Sequence, residues 1–312
     1  MSGPASKTSK VRDDSIAVLH LSGSIVDGKK PVSGSIVSGP TAEAIRELEN
    51  DENVRGVVVR INSPGGSATA SEVIRQALVS LSNKKPTVIS MGSVAASGGY
   101  WISCIHQPVY AEEGTITGSI GVFAMKISFG TLLRRVGVRV EAITLDESAA
   151  ADSIDRGWSD SDTSNIQESI QEVYSRFLQL VSDSRKLPLE KVGPLAGGRV
   201  WSGSQAKEAG LVDAIGGLDD CLAVVAKKAN VETYKVIHRP EKQAGLGLLE
   251  LLGSSDDDEQ IRAQSVLQHA AEVLGQRGFN FGTVHMLLED AARKGNRAPT
   301  IWALNPAELS IR

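Results

Sequence analysis

Ser97 stands directly before Gly98 and Gly99 in the stretch Pro86-Thr-Val-Ile-Ser-Met-Gly-Ser-Val-Ala-Ala-Ser-Gly-Gly-Tyr-Trp-Ile102. The β-branched run Thr87, Val88 and Ile89 reads as a short buried strand. Small residues then carry the chain round to a helix start. A serine hydroxyl presented there meets free N–H groups and the positive end of the helix dipole, which favour a developing oxyanion. That is the setting of a nucleophilic serine. An ordinary capped glycine turn uses the same residue types, so this stretch alone leaves both readings open.

A second stretch has the same design. Gly56-Val-Val-Val-Arg-Ile-Asn-Ser-Pro-Gly-Gly66 is another buried-strand pattern ending in a glycine pair, and a helical stretch from Ala68 to Ser82 follows. Gly65 and Gly66 carry no side chain to obstruct a substrate, so their N–H groups can approach a carbonyl oxygen closely. Two glycine turns after successive strands would supply one donor each to an oxyanion hole. A third stretch, Thr115-Ile-Thr-Gly-Ser-Ile-Gly-Val122, repeats the small-residue pattern and offers the hydroxyls of Thr117 and Ser119. The expected convergence brings Ser97 Oγ close to the Ser119 side chain and turns it to face the Gly66 N–H.

Asn62-Ser-Pro-Gly-Gly-Ser-Ala-Thr-Ala-Ser-Glu72, Met91-Gly-Ser-Val-Ala-Ala-Ser-Gly-Gly-Tyr-Trp101 and Thr117-Gly-Ser-Ile-Gly-Val122 together resemble the signal peptide peptidase A (protease IV) family. Arg199-Val-Trp-Ser-Gly-Ser-Gln-Ala-Lys-Glu-Ala-Gly-Leu-Val-Asp-Ala-Ile-Gly-Gly217 is similar to the closing segment of that family. The resemblance spans residues 15–235 and is nearest to the second, nucleophile-bearing half of the long two-repeat form. It implies an α/β fold of stacked βαβ units, Clp-peptidase/crotonase-like, followed here by a helical C-terminal tail. It further implies a serine–lysine endopeptidase that cleaves hydrophobic peptides, such as released signal peptides, through an acyl-enzyme. On this reading Ser97 is the nucleophile, the Gly66 and Gly98 N–H groups hold the oxyanion, and Ser119 orients the lysine base. No cofactor is implied.

The lysine itself is missing from its place. An unperturbed lysine has a pKa of about 10.4, so burial must lower it by several units before it can act as a base near neutrality. In single-repeat relatives it follows the strand after the Gly-Ser-Ile-Gly motif. Here that segment reads Ala142-Ile-Thr-Leu-Asp-Glu-Ser-Ala-Ala-Ala-Asp-Ser-Ile-Asp-Arg156, without a lysine. In the long form the first repeat carries the lysine and the second the serine, so the resemblance implies a base supplied by another repeat or subunit. Lys126 is the nearest lysine downstream of the motif and reads instead as a helix surface residue. His106, near the far end of the expected Ser97–Cys104 helix, points away from the serine and supports no triad. A catalytically inactive peptide-binding scaffold stays open as an alternative. A crotonase-type acyl-CoA enzyme is a further one, in which Ser97 would have no role.

The elements that must position these turns alternate along the chain. Expected strands at Ile16–Ser22, Val54–Ile61, Thr87–Met91, Val109–Ala111 and Val138–Thr144 interleave with expected helices at Thr41–Asn50, Ala68–Ser82, Ser97–Cys104, Leu132–Val136, Asn165–Ser184, Gln205–Ala209 and Leu218–Lys228. Such alternation argues right-handed crossovers in a mainly parallel sheet. The Gly/Ser-rich loop from Gly23 to Gly39 reads as an edge ribbon or a substrate-facing flap. Residues 1–14 are expected to be a polar, disordered N-terminus, 15–238 form the peptidase domain, and 239–312 hold a charged linker and two short amphipathic helices, 260–274 and 283–294. Docking onto a neighbouring subunit is the expected role of that tail.

With 312 residues, 41% hydrophobic, and net charge −4, the chain can bury a substantial core and carries no basic patch suited to nucleic acid. Cys104 and Cys221, both in apolar contexts, read as buried thiols. The five histidines show no ligand spacing, so no metal is expected. No stretch has the ~20 apolar residues of a membrane span, whereas the resemblance implies a membrane-attached enzyme on the extracytoplasmic face. Membrane contact is therefore expected through a segment outside this sequence or through partners. The resemblance also implies a peptide substrate, and either homo-oligomers or pairing with a lysine-bearing N-terminal repeat.

Overall fold

Apolar residues that alternate sides along the strands need cover on both faces of the sheet, and the computed structural model shows how helices provide it. It describes residues 14–135, 137–140, 151, 153 and 155–240. All of these belong to the first of two units, Met1–Lys242 and Gln243–Arg312. The charged linker and the two tail helices expected from the sequence lie outside the described residues.

The described chain runs β1 (Ser15–Ser22), β2 (Ser24–Val26), β3 (Ser35–Val37), α1 (Ser38–Asn50), β4 (Val54–Ser63), α2 (Ala68–Lys84), β5 (Thr87–Ala96) and α3 (Gly98–Trp101). It continues with β6 (Val109–Ala111), β7 (Ile116–Gly118), α4 (Gly130–Arg135), α5 (Asp160–Arg185) and α6 (Leu189–Leu195). The last elements are β8 (Val200–Ser202), α7 (Gly203–Glu208), β9 (Ala214–Ile215), α8 (Leu218–Ala229) and β10 (Lys235–Arg239). The main sheet has the order β10-β1-β4-β5-β6-β9, with β7 also on β5 and β8 on β7. Every pairing is parallel except β7 with β8. The class is α/β with a central, mostly parallel sheet.

Period-two alternation divides the core in two. Ala17, Leu19, Val57, Val59, Ile61, Ile89 and Met91 share one cluster with Ile45 and Leu48 of α1, Ile74 and Leu78 of α2, and Phe177 of α5. Their strand neighbours Ile16, Val18, Val58 and Val88 pack on the other face against Cys221 and Val225 of α8. A one-residue slip of β4 would exchange these sets, each side chain being worth about 1.5–3 kcal/mol of burial. Register is therefore firmly specified. Cys104 and Cys221 are buried free thiols in opposite clusters.

Several expected bounds change for identifiable reasons. Helix α1 begins at Ser38 rather than Thr41. Val37 is its N-cap and makes no side-chain cap bond, and Pro40 in the first turn has no helical donor to lose. Strand β5 continues past Met91 because Val94, Ala95 and Ala96 pair with β7. Helix α3 stops at Trp101, not Cys104, because Ser103 and Cys104 donate to Tyr100 and Trp101 three residues back and tighten the chain out of the helix. The strand expected at 138–144 does not form over 138–140, and 141–144 lie outside the described residues. Gly137 at φ +80 ends α4, with Val138 N–H turned back to Leu133 O and Gly137 N–H to Arg134 O. That Schellman closure directs the strand donors into the helix end. Within the loop expected from 23 to 39, Ser24–Val26 and Ser35–Val37 form a parallel pair outside the main sheet. Among the described residues no helix is long and apolar enough to cross a membrane.

Candidate active site

Parallel strands all deliver their chain ends to one edge of the sheet. Register pairs Ser63 with Ala95 and Ala96 with Gly118, so the turns after β4, β5 and β7 leave side by side. Those turns hold Gly65 and Gly66, Ser97 and Gly98, and Ser119.

Ser97 is the N-cap of α3 with φ 52 and ψ −119. For a residue with a Cβ this is a strained backbone, costing on the order of 1–3 kcal/mol unless its surroundings impose it. They do so from both sides. Ser97 N–H donates to Gly118 O at 2.9 Å, and Ser97 O accepts from Trp101 N–H at 2.8 Å. The result is a sharp strand-to-helix elbow. Ser97 is half-buried while Ala95, Ala96 and residues 98–102 are all buried, so its side chain is the one the elbow exposes.

The glycine turn after β4 is pressed against this elbow. Gly65 has φ +106, and a Cβ built on it would lie 2.8 Å from Ser97 Cβ and 2.7 Å from Gly98 N. A Cβ on Gly98 would lie 3.2 Å from Gly66 N and 2.6 Å from Ser71 Oγ. Hydrogen bonding separates the two glycine donors. Gly65 N–H is taken by Ser63 Oγ at 3.1 Å. Gly66 forms a parallel bridge with Ile25 of β2, in which Ile25 N–H donates to Gly65 O and Ser67 N–H donates to Ile25 O. Gly66's own N–H points away from that ribbon and, like that of Gly98, finds no acceptor among the described residues. Two N–H groups without an acceptor among the described residues thus border one half-buried serine.

Ser119 lies in the turn beside Ser97, also with a left-handed backbone (φ 49), and its N–H donates to Arg199 O at 2.7 Å. Its hydroxyl makes no hydrogen bond among the described residues. Thr117 is different: its buried hydroxyl donates to Ala95 O at 2.7 Å and ties β7 to β5. The structure therefore brings Ser97, Gly66, Gly98 and Ser119 to one edge and sets Thr117 apart as a structural tie.

No lysine joins them among the described residues. Lys126 is not on a helix, contrary to expectation. It lies in a segment that is neither helix nor strand, and its ammonium bonds Ala151 O. Burial lowers the Lys85 pKa, but its ammonium bonds Leu48 O at 2.6 Å and also Asp51 O, at the opposite edge of the sheet. His106, at φ 59, is exposed in the turn beyond α3. The 142–150 stretch, where the base was sought, lies outside the described residues.

Sequence reasoning passed over Glu72. Its carboxylate accepts from Trp101 Nε1 at 2.8 Å, from Arg75 Nε and Nη2 at 2.8 Å each, and from Gln76 Nε2 at 2.8 Å. Burial pushes its pKa up, but the bonds from Arg75, Gln76 and Trp101 outweigh it and hold the carboxyl at about 2. Its only sequence signal was its place at the end of the Asn62–Glu72 motif.

An α/β sheet that presents a strained serine beside two open main-chain donors has the make-up of a serine-hydrolase site. The profile of peptidase family S49 matches residues 80–232, which include Ser97 and Ser119. Protease 4 of Salmonella typhi is 38% identical over 244 residues, covering 78% of this chain and 39% of its own length. The chloroplastic serine protease SPPA of Arabidopsis thaliana is 33% identical over 228 residues, covering 72% of this chain and 34% of its own. A shorter relative from Synechocystis is 36% identical over 207 residues, covering 66% of this chain and 75% of its own. The chain belongs to peptidase family S49, as its likeness to signal peptide peptidase A anticipates. It spans well under half the length of the first two relatives.

Proposed function

We propose that this chain is the nucleophile-bearing part of a serine endopeptidase that cleaves hydrophobic peptides, such as released signal peptides, on a Clp-peptidase/crotonase-like fold. The observation that carries the proposal is the Ser97 elbow, held at φ 52 against the glycine turn with the Gly66 and Gly98 N–H groups open beside it. Strain of that kind has no use in a plain capped turn, and none in an acyl-CoA enzyme that leaves the serine idle.

In the proposed cycle a neutral lysine takes the proton from Ser97 Oγ as it attacks the peptide carbonyl carbon. The carbonyl oxygen becomes an oxyanion between Gly66 N–H and Gly98 N–H, each worth on the order of 3 kcal/mol in the transition state. Collapse breaks the C–N bond, the amine leaves with the proton from the lysine, and water then cleaves the Ser97 ester by the same route. The lysine comes from another repeat or subunit, and the Ser119 hydroxyl, without a hydrogen bond among the described residues, orients it. Two observations support a partner: the described residues place no lysine at the site, and Phe123 and Met125 stand 84% and 72% exposed beyond β7. Apolar exposure on that scale favours an interface. Membrane attachment is taken to come from the partner or from a segment outside this sequence.

The test is turnover of a fluorogenic hydrophobic peptide, with Ser97→Ala as the blank and a fluorophosphonate label as the covalent readout. The chain alone is expected to turn over barely above background, and a lysine-bearing half should restore activity. Failure of Ser97 to label, together with no restored turnover, would favour the non-catalytic scaffold. Turnover that survives Ser97→Ala would overturn the assignment.

A further inference from the structure

From the contacts around Trp101 we infer that Glu72 is a positioning residue: with the Trp101 indole it forms a strut that fixes the two oxyanion donors relative to each other. The inference rests on the reading of Ser97, Gly66 and Gly98 given above. Those donors lie on separate chain segments. Gly66 leads through Ser67, the N-cap of α2, into the first turns of that helix, where Glu72 sits. Gly98 opens α3, which is four residues long and ends at Trp101. A helix this short has no propagated hydrogen bonding to stiffen it, so its position depends on what its side chains hold.

Trp101 holds on two sides. Its ring packs on Phe177 of α5 with centroids 4.7 Å apart. Its Nε1–H donates to Glu72 Oε2 at 2.8 Å, with the tryptophan 4% exposed. Glu72 is itself fixed by Arg75, whose side chain is 8% exposed and grips both carboxylate oxygens. A charge-assisted hydrogen bond between two side chains that each have a second anchor is short, directional and roughly twice as strong as a neutral one. It links the helix after one donor to the helix after the other. Tyr100, whose hydroxyl donates to Leu211 O at 2.7 Å, ties α3 to the rest of the fold but not to α2. Displacing a catalytic group by about 1 Å can cost on the order of a hundredfold in rate, which is the scale on which such a strut matters.

Two measurements test this. In the full 312-residue chain, hydrogen–deuterium exchange of the peptide covering Ala95–Ile102 reads the strut without any turnover. Exchange there should quicken about tenfold in Glu72→Ala and Trp101→Phe, the latter keeping a ring on Phe177 while deleting the donor together with part of the indole's volume. Glu72→Gln still offers an amide oxygen to Trp101 and should restore slow exchange. In the enzyme completed with its lysine-bearing half, Glu72→Ala and Trp101→Phe should lower kcat about tenfold to a hundredfold with KM little changed. Glu72→Gln should rescue kcat. Wild-type exchange and kcat in both disrupting variants would overturn the strut, as would fast exchange with an unaltered kcat or a change confined to KM. Hydrolysis surviving Ser97→Ala would instead overturn the nucleophile reading, a result distinct from each of these. Should Glu72→Ala not fold, Trp101→Phe carries both measurements.

Discussion

Gly65 Cα faces Ser97 so closely that any side chain at 65 would meet the serine's Cβ at 2.8 Å. The contact is reinforced by 2.7 Å to Gly98 N and 3.0 Å to Ala96 O, neither of which can move without shifting the elbow. Gly65→Ala should therefore destabilise the fold by about 1–3 kcal/mol from overpacking, with a further cost from its φ of +106. Urea titration reads the stability. Fluorophosphonate labelling of Ser97 in the presence of the lysine-bearing half, measured where the variant is still folded, should fall as well. Normal labelling in a folded Gly65→Ala would show that the elbow does not depend on this contact.

Thr117 and Ser119 are two residues apart and should respond oppositely. Thr117→Val removes a buried hydroxyl that bonds Ala95 O, which should cost about 1–3 kcal/mol. Ser119→Ala removes a hydroxyl with no bond among the described residues, so the urea midpoint should hardly change. Turnover with the lysine-bearing half should fall. A stable, fully active Ser119→Ala would remove Ser119 from the site.

The Glu72 carboxyl has a folded-state pKa of about 2 against an ordinary 4.5. Between those values the unfolded chain binds more protons than the folded one. Its contribution to stability is thus complete above about pH 4.5 and is lost as the pH falls toward 2. The gap in urea midpoint between wild type and Glu72→Gln should be wide at pH 7 and narrow at pH 3. A gap independent of pH would mean that its ion pair with Arg75 contributes nothing.

Burial pushes the Cys104 thiol up to about 12 and the Cys221 thiol up to about 11. The thiolate is the reactive form. In the native chain an aromatic disulfide reagent should modify neither cysteine at pH 8, and both should react once urea unfolds the protein. Rapid native labelling of either would contradict the packing of its cluster.

Phe123, Met125, Ile127 and Phe129 stand at every second position of a segment that is neither helix nor strand, with 84%, 72%, 59% and 47% of their surface exposed. The purified chain should self-associate in light scattering, and replacing Phe123 and Met125 by serine should shift it toward monomer. An unchanged distribution would separate this surface from assembly.

The sheet and its main crossovers were legible because apolar runs such as Val57–Ile61 and Val88–Ile89 announce strands that are covered on both faces. The glycine and serine turns were legible by residue type alone. What the sequence concealed was pairing. Nothing local to Ile116–Gly118 reveals that it lies between β5 and β8, and the extension of β5 to Ala96 follows only from that partner. Glu72 was obscured for a similar reason. A glutamate on a helix reads as a solvated charge until a tryptophan many residues away is seen donating to it. Thr117 and Ser119 looked equivalent as hydroxyls, and only the fold shows which one is already bonded.

Because the strands beneath the site are parallel, Gly66, Ser97 and Ser119 come from three separate returns of the chain, each to the same edge. No hairpin can bring any two of them together early, so their contacts must wait for distant segments to find their register. A nascent or partly unfolded chain accordingly holds a loose serine and scattered glycines rather than a working nucleophile. On the proposed function, completion of the sheet is a built-in safety catch on peptide-bond cleavage.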